Sequence, residues 1–215
     1  MQVIVPFDGE TPKTRLENVL TLAERREFAR AMLRDVLDAI RDAGGSPLVV
    51  SRSRLDLPRT PVSVDARPLS TAVNEQLRAS ASGTAVVMAD LPLVTATTLA
   101  DLFDHDGDVV LAYGKGGGTN ALVSRHDDFA VDYHDGSYRT HLQTTAAIGA
   151  SLAEVDSYRL ALDIDEPNDL AELLLYGSGE AVEWLRDNGF SVDDTGGRRA
   201  IQRHTKPIPG GIHPG

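Results

Sequence analysis

The chain has 215 residues, 41% hydrophobic and 25% charged, with a formal net charge of -11 and no cysteine. That size suits one α/β domain or a large lobe with a small one. The missing cysteine excludes disulfides and thiolate metal sites, and the acidic surface repels nucleic-acid phosphate. No apolar run approaches the ~20 residues of a membrane span. The opening MQVIVPFDGE lacks the basic and cleavable parts of a signal peptide, so a cytoplasmic protein is expected. Lysine occurs only at Lys13, Lys115 and Lys206, among 21 lysines and arginines together. An acidic, lysine-poor surface suits a protein kept soluble in high salt, where screening removes self-repulsion.

Short apolar runs alternate with helical stretches, the pattern of βαβ units on a mostly parallel sheet. QVIVPF (2–7) reads as the first strand. A polar loop over 8–20 follows it and carries Lys13 and Arg15. Thr21 and Glu24 have capping-box spacing. Ala29, Met32, Leu33, Val36, Leu37 and Ile40 then recur at helical intervals, up to a stop at Gly44-Gly45. PLVVS (47–51) is the second strand, and the Arg- and Pro-rich 52–69 reads as irregular. A short helix over 70–80 has Ser70 as its expected N-cap. TAVVMAD (84–90) reads as a central strand, apolar on both faces. A helix over 95–103, a strand over 108–114, a glycine-rich loop at 114–120 and an apolar run to 124 come next. The polar, aromatic 125–140 reads as an insertion or lobe. Helices are expected at 137–150, 166–177 and 179–189, with Pro167 near a first turn. SYRLALDID (157–165) reads as a strand ending in aspartates. The single domain is expected to end near 195, with a poorly ordered Gly/Pro-rich tail over 196–215.

Three places hold side chains suited to chemistry. Asp90, and the pair Asp163 and Asp165, stand at the ends of predicted strands, where open α/β sheets bind ligands. Two such carboxylates meeting would form a hard-oxygen site suited to Mg²⁺, although a solvated strand end or a helix cap explains Asp90 as well. Alternation along a strand would send Asp163 and Asp165 to opposite sides, leaving one of them to reach the site. Lys13 and Arg15 could neutralise phosphate oxygens. The loop GKGGGTN (114–120) lets a backbone approach a ligand closely at Gly118 and offers the Thr119 hydroxyl. Gly136 and Ser137 open a helix, a ready anion site. His141 suits acid–base chemistry or a structural role. His105, His126 and His134 lack metal-ligand spacing. Neither the G-x-G-x-x-G nor the G-x-x-x-x-G-K-[ST] pattern follows the first strand, so a dehydrogenase or P-loop reading is unsupported.

VIVPF with KTRL, then MADLPL, GGGTNAL, GSYRTHL and LDIDEPNDL, occur in an order that resembles the 2-phospho-L-lactate guanylyltransferases of coenzyme F(420) biosynthesis, over roughly residues 1–190. The resemblance implies a three-layer α/β/α fold of GT-A-like nucleotidyltransferase type, with a mostly parallel twisted sheet. It implies that GTP and 2-phospho-L-lactate become lactyl-2-diphospho-5′-guanosine and pyrophosphate. Asp90 and Asp165 would hold Mg²⁺, with Asp163 a possible substitute, and Lys13 and Arg15 would contact the triphosphate. Thr119 and Ser137 would hold the phosphorylated acid. A third contact, a glycine in related phosphoenolpyruvate-using enzymes, falls on His134. The first loop departs from the pattern too, with Asp8 and Glu10 where basic residues are usual. The family implies a homodimer. The alternatives are a nucleotidyltransferase acting on phosphoenolpyruvate, a molybdopterin guanylyltransferase, and a nucleotide-binding regulatory module without turnover.

Overall fold

The computed structural model describes residues 1–80, 83–193 and 200–204. Its main sheet has seven strands in the order β3-β2-β1-β4-β6-β5-β7. These are β1 (Gln2–Phe7), β2 (Ser46–Ser51), β3 (Val62–Val64), β4 (Thr84–Val87), β5 (Val109–Tyr113), β6 (Thr119–Ser124) and β7 (Leu152–Glu154). All neighbours pair in parallel except β6, which runs antiparallel to both β4 and β5. The mostly parallel sheet read from the sequence is therefore present.

Alternation along the strands sorts side chains onto two faces. Val3, Val5 and Phe7 of β1 join Ala85 and Val87 of β4 in one core layer, while Ile4 and Val86 face the other. The first layer is covered by α1 (Leu22–Asp42), α3 (Ala96–Asp104), α6 (Pro167–Tyr176) and α7 (Glu180–Asp187). The second is covered by α2 (Leu69–Ala79) and α4 (Ser137–Ala147). Helix α1 begins at the expected capping box, where Thr21 N donates to Glu24 Oε2 at 2.8 Å and Glu24 N to Thr21 Oγ1 at 3.3 Å. Phe28, Met32, Leu33 and Ile40 on its inner face are fully buried, each contributing ~1.5–3 kcal/mol of transfer free energy. Gly45 lies so close that a Cβ would stand 2.8 Å from Ile40 Cγ2, which fixes glycine at the return into β2.

Five local expectations need correction. Residues 157–165 are not a strand: they form the short helix α5 (Tyr158–Ala161) and an extended arm that donates Ile164 N to Asp90 O at 3.0 Å. Leu160, Leu162 and Ile164 are buried in alternation, which mimics strand patterning without sheet pairing. The irregular 52–69 contains β3. Helix α2 starts at Leu69 behind Pro68, and the Ser70 hydroxyl accepts Tyr133 N at 2.9 Å instead of capping. Residues 125–140 form a strap over the second face rather than a lobe, since Phe129 and Val131 are buried in that core. The region read as a loose tail contains β9 (Ala200–Arg203), which pairs antiparallel with β8 (Phe190–Asp193). The remainder of the expected tail lies outside the described residues. Among the described residues, no helix is long and apolar enough to cross a membrane.

Candidate active site

The connection from β1 runs to β2 on one side, and that from its other neighbour β4 runs toward β5 on the far side, so connections diverge between β1 and β4, and ligands bind beyond the carboxyl ends of strands at such a point. The loop after β1 brings Lys13 there, and the turn after β4 brings Asp90. Lys13 has a left-handed backbone (φ 53°), a conformation that costs a side-chain-bearing residue about 1–3 kcal/mol. The strained residue places Nζ 2.6 Å from Asp90 Oδ2 and 2.6 Å from Asp165 Oδ1. Burial pulls the Lys13 ammonium down, but the Asp90 and Asp165 carboxylates outweigh it and hold its pKa above the ordinary value. Arg15 Nη1 reaches Asp165 Oδ2 at 3.4 Å from an exposed position.

Asp90, Asp163 and Asp165 each offer one oxygen, and the three lie within 4.8 Å of one another. Both aspartates of the arm therefore reach the corner, contrary to the expectation from strand alternation, because the arm is not a pleated sheet strand. Three converging carboxylates form the hard donor set that Mg²⁺ prefers. Burial, and then the charge of Asp90, push the Asp163 carboxyl above its ordinary value, as expected where like charges converge and the Lys13 ammonium pairs with the other two carboxylates.

Two residues that received no role from the sequence hold this arm. Asn120 Nδ2 donates to Leu160 O at 2.9 Å and to Asp163 Oδ1 at 3.2 Å. Gly114 permits this, since a Cβ there would stand 2.4 Å from Asn120 Oδ1. Asp169 Oδ2 accepts Asp165 N at 3.1 Å and Glu166 N at 2.8 Å, which caps α6 and aims Asp165. The available signals were a buried amide inside an apolar strand and an aspartate at the third position of a helix.

Beside the carboxylates lie two adjoining cavities of about 290 and 240 Å³. They share Pro6, Phe7, Asp8 and Met88. The first continues to Lys13 and Asp90, the second to Ser51, Asp65 and Arg67. Wider hollows of about 630 Å³ beside Tyr158 and about 590 Å³ beside α3 touch none of the three aspartates.

The glycine-rich loop is the β5–β6 hairpin connection. Gly114 N donates to Gly118 O at 2.7 Å, and Tyr138 N donates to Gly117 O at 3.3 Å, so the loop rests on the start of α4. The fold brings Thr119 and Ser137 together: Thr119 N donates to Ser137 Oγ at 2.9 Å. Both are buried, but a Cβ built on Gly118 would meet only Ser137 Oγ, at 3.8 Å, and one on Gly116 would meet nothing within 4 Å. The space over these glycines is open. Gly136 adopts φ 71° and Asp135 φ 28°, so left-handed geometry falls on those two and not on His134. His134 is exposed and spends its backbone N–H on Asp132 Oδ1 at 3.1 Å. His141 is fully buried between Thr119 and Asp132, and burial lowers its pKa to about 4.

The family model described as "Guanylyl transferase CofC like" matches residues 1–204. A 2-phospho-L-lactate guanylyltransferase from Halomicrobium mukohataei is 53% identical over 203 residues, covering 94% of this chain and 100% of that one. One from Haloarcula marismortui is 52% identical over 207 residues, covering 94% and 99%. Among solved structures, a Desulfovibrio desulfuricans G20 protein assigned as a nucleotide-diphospho-sugar transferase superposes with a TM-score of 0.71 at 15% identity, over 87% of this chain and 94% of that one. A Mycobacterium tuberculosis H37Rv protein solved with manganese superposes with a TM-score of 0.51 at 17% identity, over 81% and 98%. These likenesses show the GT-A-like α/β fold. With its whole described length inside the matched region, the chain belongs to the CofC-like guanylyltransferase family.

Proposed function

We propose that the chain condenses GTP with 2-phospho-L-lactate, giving lactyl-2-diphospho-5′-guanosine and pyrophosphate. One observation carries the assignment of the chemistry to a place: Asp90, Asp163, Asp165 and Lys13 converge at the point where strand connections diverge, between the twin cavities and the Gly118 loop. The nucleoside occupies the cavities, and its triphosphate runs toward Lys13 and Arg15. The acid lies over Gly118, near Thr119, Ser137 and Gly136. His134, with its backbone donor already used, contributes no backbone contact to the acid.

Asp90, Asp163 and Asp165 would hold Mg²⁺, which supplies charge neutralisation at the transferring phosphorus when bound. A phosphate oxygen of the acid attacks the α-phosphorus in line, and pyrophosphate leaves. That oxygen is anionic near neutral pH, so no side chain has to remove a proton. The chain's contribution is positioning and the fixed positive charge of Lys13 and Arg15. The two-fold dimer implied by the resemblance is measurable by light scattering. The deciding experiment is pyrophosphate release with each of the four nucleoside triphosphates against 2-phospholactate, phosphoenolpyruvate and 3-phosphoglycerate. GTP with 2-phospholactate is expected to give the highest kcat/KM. A clear preference for another pair would replace this assignment.

A further inference from the structure

We propose that His141 is a positioning residue that fixes the Thr119 hydroxyl as a hydrogen-bond donor to the phosphorylated acid; this rests on the acceptor pocket placed above. His141 Nε2 lies 2.9 Å from the backbone N of Asp132. A backbone N–H can only donate, so Nε2 must accept, and the ring proton of the neutral imidazole sits on Nδ1. Nδ1 lies 2.8 Å from Thr119 Oγ1 and therefore donates to it. The Thr119 oxygen is occupied as an acceptor, and its own proton is left to point elsewhere.

Ser137 is treated in the same way. Its Oγ accepts Thr119 N at 2.9 Å, so its proton is also left over. Among the described residues, neither hydroxyl has a protein acceptor for that proton. Two hydroxyls joined through the Thr119 N–H have thus been set as donors, and of the two the Ser137 oxygen stands against the open space over Gly118. Donors without competing acceptors are what an anionic oxygen needs, whereas an unconstrained hydroxyl also accepts bonds from water. Phe129 and Tyr133 pack edge-to-face with the imidazole, with ring centroids at 5.9 and 5.3 Å, and fix its plane. With both nitrogens committed and the ring fully buried, His141 has no position from which to exchange a proton with substrate.

The test uses the full chain and four variants. An asparagine amide can reproduce the Nδ1 donor, while a glutamine amide falls near Nε2 and cannot. His141→Gln is expected to raise the KM for 2-phospholactate about 10-fold, the loss of one bond to a charged group, and to leave the GTP KM within about twofold. His141→Asn is expected to keep the acceptor KM within about threefold of wild type. Thr119→Val should reproduce the His141→Gln effect, and the double variant should be no worse than Thr119→Val alone. Nitrogen-15 spectra of the imidazole in the wild-type protein should report the Nδ1–H tautomer at neutral pH, independently of any variant's folding. An Nε2–H tautomer or an imidazolium there overturns the proposal. So does a His141→Gln enzyme with normal acceptor KM beside a Thr119→Val enzyme with a raised one. If Thr119→Val itself leaves the acceptor KM unchanged, the pocket assignment is what fails.

Discussion

Lys13 Nζ contacts two carboxylates, and its side chain is only 9% exposed, against 28% and 35% for Asp90 and Asp165. It is therefore the counter-ion of the corner as well as a candidate contact for the triphosphate. Removing one partner of a fully buried pair costs ~3–5 kcal/mol, and the partial exposure of these carboxylates reduces that to ~2 kcal/mol. Lys13→Met is expected to lower the melting temperature without divalent cation. Mg²⁺ or Mn²⁺ should then raise the melting temperature more in the variant than in wild type, because the cation no longer competes with an ammonium for the same oxygens. Equal increments would place the cation elsewhere. Asp90→Asn should lower kcat ~10²-fold or more with an unchanged circular dichroism spectrum, since metal stabilisation is worth several kcal/mol. A variant with normal turnover at limiting Mg²⁺ would remove Asp90 from the site. His141 adds a pH dependence. Its folded pKa, about 4, lies below the ordinary 6.5, so between these values the unfolded chain binds the proton that the folded chain refuses. The stability from this group is complete above pH 6.5 and is lost as pH falls toward 4. Denaturant midpoints measured across that range should fall with acid, and His141→Asn should flatten the fall.

At the level of elements, the strap between β6 and α4 explains how one buried histidine is held. Asn74 of α2 accepts Val131 N at 2.8 Å and donates to Val131 O at 2.9 Å, standing in for a neighbouring strand. Ser70, one turn earlier, accepts Tyr133 N. The same helix lines the second cavity through Leu69 and Ala72. Asn74→Ala should cost about 1–3 kcal/mol, since two part-buried backbone groups lose their partner. It should also raise the acceptor KM, because Asp132 N is held in place only while the strap is. Chemical denaturation and acceptor kinetics check the two effects, and a stability loss without a KM change would confine the strap to a structural role. None of this was legible in the sequence, because Asn74 and Val131 stand 57 positions apart. What was legible was local or repeated. The Thr21–Glu24 cap, the apolar face of α1 and the carboxylates at element ends all show in adjacent residues. The arm at 162–165 misled because alternating burial against a core gives a strand-like pattern whether or not a sheet accepts the segment. Asn120 escaped notice because its partner, Asp163, is 43 residues away. The β8–β9 hairpin escaped because the contacts that hold it to the domain, from Arg203 to Glu24 and to Val19 O, are more remote still.

For the whole molecule the deciding quantity is charge. Thirty-two acidic residues face 21 basic ones, giving the net -11. Self-repulsion at low salt favours expansion. Against it stand exposed or half-exposed pairs such as Arg67–Asp65 and Arg34–Glu180, each worth ~0–1 kcal/mol and also screened by salt. The relatives come from salt-loving organisms, and we propose that the imbalance suits the chain to the same conditions. Screening removes both terms, so the sign of the salt response tells which is larger. The repulsion sums over an excess that no local pair cancels, whereas each surface pair is individually weak, so stability should rise with KCl. Screening lengths fall from about 10 Å at 0.1 M to about 3 Å at 1 M, so this gain should be largely complete by about 1 M. A continued linear rise beyond that would come from general exclusion of salt from the surface, which sulfate enhances over chloride. Melting temperatures in KCl and in potassium sulfate, matched for ionic strength below about 1 M, separate the two. Superimposed curves in that range are expected from screening. A melting temperature that falls as KCl is added would show that the ion pairs outweigh the net charge, and the acidic surface would then have no stabilising role in salt.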